Sequence, residues 1–157
     1  MTRRPQARRT ARRRPTRERS YSSPACYLHE FSEPEPRRAP DIRIKRIYEA
    51  ADAADGFRAL VDRLWPRGIS KQRAALDAWL TDLAPSSTLR HWLHQDPARW
   101  PGFTRRYRTE LRAQREALLA LRQRAARQRV TLLYGSREPL RNHARVLCEA
   151  LRRLKPT

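Results

Sequence analysis

Val130-Thr131-Leu132-Leu133-Tyr134, followed by Gly135-Ser136, is the stretch whose reading decides the fold. Its first five residues carry no charge and include two β-branched side chains and an aromatic one. That pattern predicts a strand covered on both faces, since a strand with one wet face would alternate apolar and polar. Strands of this kind belong to parallel sheets, whose connections run through helices. The flanks agree. Upstream, Leu118, Leu121 and Ala125 continue an apolar helical face, and before them Phe103, Tyr107 and Leu111 recur at i, i+4 and i+8. Pro101 lacks the N–H that would bond the carbonyl of Pro97, so the continuous helix is expected to start near Pro101. Downstream, Leu140, Ala144, Leu147, Leu151 and Leu154 predict a last helix with that stripe facing inward.

The segment preceding these helices supplies the remaining strands. Ile42-Arg43-Ile44-Lys45 alternates and Ile47-Tyr48 extends it, which predicts a first strand. Asp55-Gly56 is a turn signal. Residues 57–65 predict a second strand, closed by Pro66 and Gly68. Ser70 reads as the N-cap of a helix running through Leu83, with Leu76, Trp79, Leu80 and Leu83 on one face. Pro85 ends that segment, Ser86 or Ser87 caps a short helix carrying Leu89, Trp92 and Leu93, and Asp96-Pro97 is a further cap-like pair. Strand, crossover helices, strand, helix predicts an α/β domain over residues 41–157. Its small, at least partly parallel sheet is flanked by helices in a Rossmann-like three-layer architecture.

Residues 1–40 have another character. They hold eleven Arg, four acidic residues and six of the twelve prolines, with almost no aliphatic periodicity. A segment this poor in apolar residues cannot offset the entropy of ordering, so a disordered basic tail is expected. Its clusters, Arg12-Arg13-Arg14 foremost, suit a nucleic-acid arm; the bland alternative is a solvated tail with no role. The whole chain of 157 residues has 36 basic residues, 33 of them Arg, against 16 acidic ones, for a net charge of +20. Such a chain attracts polyanions, although a coding bias toward Arg accounts for the excess equally well. No apolar run is long enough to span a membrane, and the N-terminus has no apolar stretch of the secretory kind. Cys26 and Cys148 lie far apart and match no metal spacing, which suits a reducing compartment; a cytoplasmic protein is expected.

Three places concentrate side chains capable of chemistry. Asp62-Arg63-Leu64-Trp65-Pro66-Arg67-Gly68 follows a predicted strand, and open α/β sheets bind ligands outside the carboxyl ends of their strands. An acid, two Arg and a Gly there suit an anion, with guanidinium forks giving bidentate contacts. The alternative has Asp62 and Arg63 pairing with each other or a neighbour such as Arg58, while Trp65 plugs the core. Asn142-His143 opens the last helix, where backbone N–H groups favour anions and a neutral imidazole; the alternative is a half-buried His bonded to backbone. His91-x-x-His94 is half a metal site with nothing to complete it, so neither a metal nor a cofactor is expected. No phosphate-binding glycine loop or nucleophile elbow is present.

Taken together, the blocks Lys45-Arg46-Ile47-Tyr48, Asp55-Gly56-Phe57-Arg58, residues 60–69, Leu83-Ala84-Pro85-Ser86, Leu89-Arg90, His94, Trp100, Phe103, Tyr107, Glu110-Leu111, 131–134 and Asn142-His143-Ala144 resemble the domain-of-unknown-function 488 family. The closer match is its YeaO-like branch of small bacterial cytoplasmic proteins, whose activity is not established. The resemblance covers about residues 42–154. It implies that Asp62, Arg63 and His143 are shared with longer branches, which carry a Cys-His-Arg motif at the last helix. Asn142-His143-Ala144 stands there in this chain, so covalent thiol chemistry is not expected.

Parallel neighbouring strands would bring the two blocks together. The expectation is one concave site in which Asp62 and His143 handle a proton. Arg63, Arg67 and Asn142 would hold an anionic, nucleotide-like or phosphorylated small molecule, with Trp65 and Tyr134 near its wall. The competing function is a non-enzymatic nucleic-acid-binding module using Arg-rich faces and the basic tail.

Overall fold

A computed structural model describes residues 38–156. Four parallel strands, β1 (Ile42–Arg46), β2 (Phe57–Leu60), β3 (Ala78–Trp79) and β4 (Val130–Tyr134), form one sheet in the order β1-β4-β2-β3. The decisive stretch is the inner strand β4, paired on both sides, with all five residues buried. The helices are α1 (Lys71–Ala74), α2 (Ser87–Gln95), α3 (Trp100–Ala113), α4 (Arg115–Arg127) and α5 (His143–Arg153). One core lies between the sheet and α2–α5, where Phe103, Tyr107, Leu111, Leu118, Leu121, Leu147 and Leu151 meet Val130, Leu132 and Tyr134. The other face is covered more thinly, by Ile69, Ala74 and the partly buried Trp65 and Leu76 over Leu60 and Leu133. The layers are therefore unequal. The chain leaving β2 passes to the thin face and the chain leaving β4 passes to the thick one. That divergence opens a crevice between their carboxyl ends, as parallel sheets do at a switch point.

Three sequence expectations are corrected. The second strand ends at Leu60, not within 63–65. Val61 N–H still bonds the Leu133 carbonyl, but the next donor on β4's side, Gly135 N–H, goes to the Asp62 carboxylate at 2.8 Å. A side chain thus replaces a rung of the ladder, and the chain turns away. The helix expected through Leu83 stops at Ala74, with Ala75 left-handed at φ 46°. Two demands outweigh its helical pattern. The buried Arg58 guanidinium takes the carbonyls of Ala74 and Ala75. The open edge of β2 also needs a partner, which residues 77–80 supply through Asp77 N–H to Arg58 O and Leu80 N–H to Leu60 O. Leu140 does not face inward: α5 starts only at His143, behind the N-cap Asn142, and Leu140 is 70% exposed.

Candidate functional site

A cleft of about 540 Å³ lies at the carboxyl ends of β2 and β4, within the usual size range for small-molecule sites. The 61–69 loop after β2 forms one side, the 135–142 loop with the start of α5 the other, and α2 with Trp100 and Phe103 the back.

Asp62 is the hinge between the two loops. Its Oδ2 accepts the Gly135 N–H, and its backbone carbonyl accepts the Trp79 indole N–H at 2.7 Å. A Cβ on Gly135 would stand 2.8 Å from Oδ2, so glycine is what admits the carboxylate. His143 Nε2 lies 3.1 Å from the Val61 carbonyl oxygen and 2.8 Å from Asp62 Oδ1. Two acceptors facing one nitrogen assign the hydrogen to Nε2. Its direction satisfies the carbonyl, which leaves Asp62 Oδ1 buried beside the ring without a well-aligned donor. In the neutral ring, Nδ1 is then the acceptor. Tyr107 meets the imidazole edge-on at 6.4 Å between centroids and donates its hydroxyl to the Leu83 carbonyl. Burial, with the Glu110 and Asp62 charges adding to it, pushes this phenol well above its ordinary 10.0, so it remains a donor.

The remaining expected site residues fall as follows. Arg63 lines the cleft, but its Nε and one Nη hold the carbonyls of Pro85 and Ala84, which fixes the guanidinium against the turn before α2. Glu110 grips the same turn by accepting from Ser86 N–H and hydroxyl. Arg67 is exposed on the lip, its carbonyl bonded by the Tyr48 hydroxyl. Trp65 lines the wall, anchored by its indole N–H on the Ile69 carbonyl and packed edge-on against Trp79. Asn142 borders the cleft, yet its amide is fully engaged: Oδ1 caps Arg145 N–H, and Nδ2 donates to Glu138 and Pro139 carbonyls. It shapes the loop. Tyr134 is buried in the core and does not line the cleft. Arg12, Arg13 and Arg14 lie outside the described residues, as does all of the tail up to residue 37.

Sequence reasoning missed Arg90, Arg137, Arg141 and Tyr48, all of which line the cleft. The signal for Arg137 and Arg141 was their place in the loop directly after an inner parallel strand. Arg63, Arg67, Arg90, Arg137 and Arg141 bring five guanidiniums to a cleft whose single carboxylate is Asp62. Among the described residues, none of the five is in a salt bridge. Among the same residues no group of three or more His, Cys, Asp or Glu is placed to hold a metal ion. No described helix is long and apolar enough to cross a membrane.

Comparison with known proteins places this geometry in a family. "Uncharacterized protein YeaO" of Escherichia coli (strain K12) is 41% identical over 114 residues, 73% of this chain and 99% of its own length. "Uncharacterized protein Mb3100c" of Mycobacterium bovis and "Uncharacterized protein Rv3073c" of Mycobacterium tuberculosis are each 42% identical over 114 residues, 73% of this chain and 96% of theirs. No solved structure matches. Residues 41–155 match the family described as the inactive DUF488-N3 subclade, and the chain belongs to the domain-of-unknown-function 488 family.

Proposed function

We propose that this protein binds an anionic, nucleotide-like ligand in the cleft between the β2 and β4 ends, and that it does so without covalent chemistry. The observation that carries the reading is the charge imbalance: Arg63, Arg67, Arg90, Arg137 and Arg141 line a space whose one acid, Asp62, already accepts the Gly135 N–H. Guanidiniums without carboxylate partners, beside a cleft with aromatic walls, suit a phosphate attached to a planar group. Arg67 and Arg63 clamp the anion, the first from the exposed lip and the second as a fixed charge. The Val61 carbonyl sets the imidazole's direction with Asp62 beside it, and His143 offers Nδ1 to a ligand hydroxyl or amide. Trp65 supplies the wall. The subclade's description as inactive supports binding over turnover, as does Asn142, which carries no thiol and is fully engaged as the cap of α5. A cytoplasmic location belongs to the same proposal, since soluble phosphorylated metabolites are found there.

The test is a melting screen against nucleotides and sugar phosphates, run on the wild type and on Arg67→Ala. A ligand at a hundred times its Kd stabilises by about 2.7 kcal/mol. The wild type should therefore rise by several degrees with at least one compound, and Arg67→Ala should respond weakly or not at all. If no compound raises the wild-type midpoint more than salt of equal ionic strength does, the reading is wrong.

A further inference from the structure

A second groove, of about 720 Å³, lies where α3 and the start of α4 meet the end of α5. It shares no residue with the cleft, so the two readings stand or fall separately. Leu111, Leu118 and Leu154 give it an aliphatic floor. Its rim is basic: Arg108, Arg112 and Arg115 come from α3 and α4, and Arg153 and Lys155 from the end of α5 and beyond. Against these five cations stands one acid, Glu149, which shows how the rim holds a carboxylate. Its Oε2 lies 3.3 Å from an Arg108 Nη and 4.0 Å from an Arg153 Nη, so one oxygen is shared by arginines of two helices. Arg112, one helical turn past Arg108, makes no salt bridge among the described residues, and neither do Arg115 and Lys155.

We infer that this groove docks an acidic amphipathic segment of a partner protein. Its apolar side chains rest on the leucine floor, and its carboxylates take the cations that Glu149 leaves over. Amphipathic helices are commonly recognised in this way, by an apolar groove that receives one face. The rim then sets orientation and partner choice, while the floor supplies affinity. Nucleic acid is the other polyanion that a basic rim attracts. Single strands are held by aromatic platforms under their bases, and no aromatic side chain among the described residues lines this groove. A phosphate backbone gains nothing from leucines, whereas a peptide's apolar side chains do.

The experiment is fluorescence anisotropy of the full-length protein with a labelled amphipathic peptide, leucines at helical spacing and glutamates between them. A second peptide, serine replacing every leucine, keeps the charge and loses the apolar face. The Arg-rich N-terminal segment is common to all variants and cancels in their comparison. The leucine peptide should bind the wild type, and the serine peptide about ten-fold or more weaker. Arg112→Glu combined with Arg115→Glu should weaken the leucine peptide by about ten-fold. Both side chains are exposed, and an acid at the first residue of α4 suits the helix dipole, so the fold is kept. Arg105→Glu combined with Arg127→Glu, exposed and outside the groove, makes the same change in net charge and should cost far less. Equal losses in the two double variants would assign the binding to net charge, and equal binding of the two peptides would remove the floor. Either result overturns the inference, as does a wild type that binds neither peptide. So does a short oligothymidylate whose binding, and not the peptide's, is lost with Arg112 and Arg115, which would make the groove a nucleic-acid face.

Discussion

Two acids bracket strand β2, Asp55 before it and Asp62 after it, and their surroundings differ in kind. Asp55 is saturated: Lys45 Nζ reaches both carboxylate oxygens at 3.0 and 3.1 Å, Asp52 N–H bonds Oδ2 at 3.0 Å, and the Arg58 guanidinium pairs with it. Arg58 in turn places its other donors on Ala74 and Ala75 carbonyls, and Thr131 hydroxyl bonds the Asp55 carbonyl. Nothing is left over for a ligand. Asp62 keeps one oxygen without an aligned donor, beside the His143 imidazole and among arginines that make no salt bridge within the described residues. Saturation marks the amino end of the sheet as scaffold, and unfilled bonding capacity marks the carboxyl end as site.

The largest expected effect lies on the scaffold side. Asp55→Ala strands a buried guanidinium and should cost about 3–5 kcal/mol in denaturant unfolding; a loss under 1 kcal/mol would mean that Arg58 is held by its carbonyls alone. The pH dependence follows from the same group. Burial pushes the Asp55 carboxyl up, but the Asp52 N–H and the Lys45 and Arg58 donors outweigh it, and the net direction is down from 3.8. A depressed carboxyl contributes stability that is complete above its unfolded value and is lost as pH falls through its folded one. The melting midpoint should therefore drop below about pH 4, and less steeply in Asp55→Asn.

At the junction of the two regions, Gly135→Ala should cost about 1–3 kcal/mol, because the added methyl displaces the Asp62 carboxylate. The same substitution should weaken whatever ligand the melting screen identifies. On the site side, Arg67→Ala, exposed and unpaired, should change stability by less than about 0.5 kcal/mol. Removal of residues 1–40 should leave the melting midpoint unchanged, since that segment offers no apolar periodicity to the core.

How much of this was legible follows from what each signal depends on. β4 was readable because five uncharged residues in a row have one common solution, and α3 and α4 because their stripes repeat at helical spacing. The meeting of Asp62 with His143 was readable as geometry, since two parallel neighbours end at one level and the helix after β4 must start there. The 70–83 segment was not readable. Its helical pattern is genuine locally, but the carbonyls that Arg58 needs and the edge that β2 offers are set by residues remote in sequence. Leu140 misled for a related reason: it keeps the helical period with Ala144, while Asn142, bonded to Glu138 and Pro139, delays the helix beyond it.

The most direct measurement of the central claim is a titration of the labelled full-length protein with adenosine monophosphate, followed through its glycine amides in a nitrogen–proton correlation spectrum. The chain has four glycines, so each signal is separable. Gly135 donates its N–H to Asp62 inside the cleft, whereas Gly56 precedes β2 at the opposite end of the sheet. The account predicts that the Gly135 signal moves and saturates while that of Gly56 stays in place. A Gly135 signal unmoved by an excess of the nucleotide, or one that moves only in proportion to Gly56, would contradict it.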